Sequence, residues 1–120
     1  MNKKHTPKHL YCQIFRENFY ISYGISVKKF EDSIKRIIGN GYTADIDKHN
    51  LGKFIVFETK KTRIIWIWTK EKDIGAISHE CLHAIRYCLQ RKGIDLNAET
   101  EEIYCYMLEW MMDNIVKKRK

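Results

Sequence analysis

The chain has 120 residues, 44% apolar and 31% charged, which allows one domain with a modest core and leaves too little for two. No apolar run approaches the length of a membrane span, and the opening "MNKKHTPKHLYCQIFRENFY" is interrupted by Gln13, Arg16, Glu17 and Asn18, so neither a membrane protein nor a secretory leader is expected. The formal charge of +7 is carried partly by "MNKK" and "KKRK" at the two ends, which predicts solvated basic tails with at most weak attraction to nucleic acid or acidic partners.

Residues 1–10 read as a flexible basic arm containing the sole proline, Pro7, and 117–120 as a basic tail. The aromatic and β-branched run "FRENFYISYG" predicts a strand over Phe19 to Tyr23, stopped by Gly24. Ser26 can then cap a helix over residues 27–38, in which Val27, Phe30, Ile34, Ile37 and Ile38 recur at helical spacing before "GNG" ends it. Lys53 to Thr59 and Arg63 to Thr69 are strand-like and separated by a short polar link, so they predict a hairpin. In the second strand Ile64, Trp66 and Trp68 point to one face and Ile65 and Ile67 to the other, which predicts a sheet covered on both sides. A helix over residues 74–91 is expected between an Asp73 cap and a Gly93 stop. Another is expected over 98–116, capped by Asn97 and opened by Glu99, Glu101 and Glu102.

The predicted fold class is α+β: a sheet of about three strands packed with three α-helices, in the order β-α-β-β-α-α. Cys12, Cys81, Cys88 and Cys105 form no CxxC pair and are expected as buried free thiols in a reducing, cytoplasmic setting.

Chemistry concentrates in "SHECLHA", residues 78–84. On a helix with about 100° per residue, His83 lies about 40° from His79 and one turn on, so both imidazoles can close on one ion. With His79 at zero, Ile74, Ile77, Cys81, Leu82, Ile85, Cys88 and Leu89 fall between about 160° and 300°, which segregates the histidines from the apolar face. A zinc ion that does chemistry takes three protein ligands and keeps a position open. Glu102 is the candidate third ligand, since an antiparallel helical pair returns the chain to the level of His83 after the eighteen residues between them. Glu99, one turn earlier, is the alternative ligand or a supporting partner, and Glu101 points about 100° away. All three also suit a helix N-terminus as plain dipole partners.

The His79-Glu80-His83 helix followed by Glu102 resembles the gluzincin group of zinc metallopeptidases. The run from "FIVFETKKTRIIWIW" to "MMDNI" is similar to small metallopeptidases encoded by phages and prophages, and the similarity covers about half the chain. That resemblance implies a minimal zincin-like fold, a Zn²⁺ cofactor, a peptide or protein substrate and, for a phage protein, the host cytoplasm. Glu80 would then take a proton from a zinc-activated water and pass it to the leaving amine. Tyr106, one turn after Glu102, and Tyr87, one turn after His83, could each donate to the developing oxyanion or pack at the helix interface. Trp110, Met107 and Met111 read as core, and His5, His9 and His49 have no partner at ligand spacing. Two other classes stay open: an accessory protein that binds a host protein and uses zinc structurally, and a basic nucleic-acid-binding domain.

Overall fold

The computed structural model describes residues 4–47 and 49–116. The chain forms β1 (Lys8–Cys12), β2 (Glu17–Tyr23), α1 (Val27–Ile37), β3 (Gly52–Glu58), β4 (Arg63–Thr69), α2 (Ile74–Gln90) and α3 (Glu101–Ile115). The four strands make one mixed sheet in the order β1-β2-β4-β3. The central pair β2 and β4 is parallel, and each is flanked by its antiparallel hairpin partner, so β1 and β3 are the two edges.

Strand β4 explains the layering. Ile64 to Trp68 are all buried, as their unbroken apolar run requires. Ile65 and Ile67 pack beneath α2 and α3 with Ile77, Cys81, Ile85, Leu89 and Met111. Ile64, Trp66 and Trp68 pack on the other side with Phe30 and Ile34 of α1, and Phe30 stacks on Trp68 with centroids 5.6 Å apart. Both indoles keep a partner although buried: Trp66 Nε1 donates to Ser22 Oγ at 2.8 Å and Trp68 Nε1 to the Ile25 carbonyl at 2.9 Å. The sheet is therefore sandwiched between α1 and the α2–α3 pair.

The predicted strand count and order need correction. A fourth strand, β1, occupies part of what reads as a flexible arm, and the order is β-β-α-β-β-α-α. Only Leu10 and Cys12 of its five residues are buried, so its apolar alternation is too short to stand out. It pairs with β2 from Lys8↔Ile21 to Cys12↔Glu17. The second correction concerns α3, which begins at Glu101 rather than Ala98. The Asn97 carboxamide oxygen accepts from the N–H groups of Glu99 and Thr100, so it closes a turn ahead of the helix, and Thr100 takes the cap position. Cys105 is exposed, whereas Cys12, Cys81 and Cys88 are buried as expected; burial pushes the Cys81 and Cys88 thiols up to about 12.

The other end signals agree with the structure. Ser26 Oγ accepts from Lys29 N–H, and the Asp73 carboxylate accepts from Gly75 and Ala76 N–H. At the end of α2, Gly93 has φ of 79°, with Gly93 N–H bonded to the Gln90 carbonyl and Ile94 N–H to the Leu89 carbonyl, the paired bonds of a Schellman stop. Within this stop, Lys92 reaches the buried Glu17 carboxylate at 3.1 Å, where Arg63 also donates at 2.5 Å, so one carboxylate ties the starts of β2 and β4 to the end of α2.

Candidate metal centre

Helix α2 lies on β3 and β4 through Ile77, Cys81, Ala84, Ile85, Cys88 and Leu89, and that docking fixes its rotation. His79 and His83 are consequently exposed together on the outer side, while Ile74 and Leu82, at the helix start and the rim of the apolar sector, are also exposed. The two Nε2 atoms lie 3.2 Å apart. Zinc–nitrogen bonds of about 2.0–2.1 Å at a tetrahedral angle require about 3.3 Å between donors, so this pair fits a zinc ion.

Strand β3 completes the surroundings. Gly52, Phe54 and Val56 share the face toward α2, and Phe54 stacks on the His83 ring with centroids 6.0 Å apart and planes within 12°. That contact restricts the imidazole's rotation. Glu80 is turned inward and only 9% exposed. Burial raises its carboxyl above the usual range, and the neighbouring His79 and His83 oppose the rise. The Glu80 side chain passes over Gly52, where an added Cβ would lie 2.9 Å from Glu80 Cγ, 3.1 Å from the Trp68 carbonyl oxygen and 3.2 Å from Glu80 Oε2. Glycine there is a spatial requirement of the carboxylate. Gly52→Ala is expected to cost about 1–3 kcal/mol, because the Trp68 carbonyl belongs to the sheet and cannot give way. Urea unfolding checks this, and an unchanged midpoint would show that the strand shifts freely.

A groove of about 370 Å³ runs along this side of α2, lined by His79, Leu82, His83, Arg86, Gln90, Asp95 and Leu96. Tyr87 is half-buried one turn beyond His83 and shares contact with Phe54, their centroids 6.1 Å apart. The remaining predicted site residues are not gathered here. Among the described residues no three His, Cys, Asp or Glu side chains form a metal-holding group, so neither Glu102 nor Glu99 joins His79 and His83. Glu102 is exposed in the first turn of α3, and Glu99 lies in the preceding turn. Tyr106 is 64% exposed and lines a separate groove of about 570 Å³ with Tyr11, Ile14, Phe15 and Trp110. The α3 face that bears it meets the β1–β2 turn instead of the histidines. His5 and His9 are engaged by Ser22 and Asn18, at 2.7 and 2.8 Å.

Gly52 and Phe54 are the site residues that pattern reading passes over. Their signal is a glycine opening a strand, which marks close approach of another group, followed two residues on by an aromatic on the same face. No family model, curated protein or solved structure matches this chain. Geometry around α2 and β3 is therefore what bears on function.

Proposed function

We propose that the chain is a zinc-dependent peptide hydrolase in which His79 and His83 hold the ion and Glu80 moves the proton. The observation that supports this is the 3.2 Å convergence of two Nε2 atoms beside a buried carboxylate on the same helix. A structural ion would gain nothing from that carboxylate. Glu102 is the proposed third donor, with Glu99 the alternative; neither is gathered with the histidine pair in the structure, so either one would have to move in with the start of α3 to reach the ion. When bound, the ion supplies Lewis acidity for the scissile carbonyl and makes water a nucleophile near neutral pH. Glu80 takes the proton from the attacking water and returns it to the departing amine, and its inward position keeps both forms out of bulk solvent. Phe54 holds His83 in its ligating orientation.

The sheet supports a peptide as the substrate class. Among the described residues β3 pairs only with β4, and Phe54 places it beside His83, so its open edge offers main-chain donors and acceptors to an extended peptide lying along the histidines.

Calorimetric zinc titration tests the ligand set. One ion per wild-type chain is expected, with binding lost in His83→Ala, weakened about 10- to 100-fold in Glu102→Gln, and unchanged in Glu101→Gln. A wild-type chain that takes up no zinc, or a His83→Ala variant that binds as well as wild type, overturns the proposal. Full affinity in Glu102→Gln removes that residue and transfers the third position to Glu99 if Glu99→Gln fails.

A further inference from the structure

On the opposite side of the sheet, α1 carries a feature with no part in peptide hydrolysis. A cavity of about 370 Å³ is lined by Lys4, His5, Ser26, Lys28, Lys29, Asp32 and Arg36. Four of these side chains are cationic and one is a carboxylate. Lys28 reaches Asp32 only at 4.0 Å with both side chains largely exposed, and among the described residues Lys4, Lys29 and Arg36 have no carboxylate within ion-pair distance. The wall thus carries three uncompensated positive charges. The first turn of α1 holds Lys28 and Lys29 and no acid, the reverse of what a helix dipole favours. Local electrostatics that oppose the fold mark places where something else sets the sequence.

The cavity is also held in shape. Arg36 donates to the His5 carbonyl, and the His5 ring is bonded to Ser22 Oγ, which is fully buried and accepts from Trp66 Nε1. These bonds fasten His5 against α1 and β2, and Lys4, the residue before it, lines the same cavity as Lys29 and Arg36. Burial, then the Arg36 and Lys29 charges, lower the His5 pKa below its ordinary value, which favours the neutral ring.

We propose that this cavity on α1 binds a phosphate group, carried either by inorganic phosphate or by a mononucleotide. A phosphate dianion would offset most of the excess charge. Arg36 presents a planar fork suited to two phosphate oxygens, and the lysines act as point charges around it. The volume exceeds what one phosphate fills, which leaves room for a nucleoside.

Phosphorus NMR titration of the full chain, in phosphate-free buffer at constant chloride, provides the test, with inorganic phosphate and adenosine monophosphate as probes. Saturable binding is expected for at least one of them, weakened about tenfold or more in Lys29→Gln and in Arg36→Gln. Lys60→Gln, which removes the same charge from the exposed β3–β4 link, should bind as wild type. Two variants are needed because Arg36 also anchors His5, whereas the Lys29 side chain is exposed. Tighter binding of the nucleotide identifies it as the source, and equal binding identifies the phosphate moiety alone. Failure of both probes to bind overturns the proposal. So does an equal loss in Lys60→Gln, which would reduce the effect to net charge, and so does binding of duplex DNA alone with no dependence on Lys29 or Arg36.

Discussion

Glu80→Gln is expected to leave zinc uptake at its wild-type level and to lower peptide hydrolysis by about two to four orders of magnitude. The amide keeps the volume of the carboxylate, so it still fits over Gly52, and both imidazoles stay where α2 places them. What it loses is the capacity to accept a proton. The measurement pairs a zinc titration with turnover of an extended peptide. Loss of zinc in this variant would make Glu80 a ligand. Undiminished turnover would remove it from the chemistry.

The largest effect on stability is expected from Glu17→Ala. Glu17 is 1% exposed and receives Arg63 and Lys92 on one carboxylate. Removing it leaves two cations facing each other with nothing between them, and breaking a buried pair from one side costs about 3–5 kcal/mol. The Arg63 and Lys92 side chains are 21% and 29% exposed, so water relieves part of that and the low end, about 3 kcal/mol, is expected. Urea unfolding monitored through the buried tryptophans gives the value. A loss under about 1 kcal/mol would mean that the three ends are held by packing alone.

The parts of the fold legible in the sequence are those in which one residue type repeats with a clear period or sits at an end that only it suits. Alternation from Ile64 to Trp68 gave both faces of β4, and Ser26, Asp73 and Gly93 marked three helix ends because each satisfies backbone groups there. Strand β1 was hidden because it buries only Leu10 and Cys12, and its pairing with β2 is a property of two segments together. Asn97 has the chemistry of a cap, but its carboxamide accepts from Glu99 and Thr100 in a turn ahead of the helix, and Thr100 holds the cap position instead. The histidine pair was visible from spacing alone, since four residues on a helix fix the distance. Placement of Glu102 was not, because it depends on how a ten-residue connection from Arg91 to Thr100 folds, and no period governs that stretch. Gly52 could be noticed but not explained without knowing what lies above it.

The order of strands in the sheet also separates the molecule by how it is assembled. Gly52, Phe54, His79, Glu80 and His83 all lie in the continuous stretch β3-β4-α2, where each element packs on a sequence neighbour and only short loops must close. The β2–β4 seam is of another kind: Asn18 pairs with Ile64, 46 positions along the chain, and no contact forms there until the intervening helix and loop have been gathered in. Pairings of that range are the slow ones. The half that bears the histidine pair is thus the portion able to organise early from local contacts. Closing the parallel seam then commits the N-terminal hairpin and α1, and with them the basic cavity, to the finished molecule.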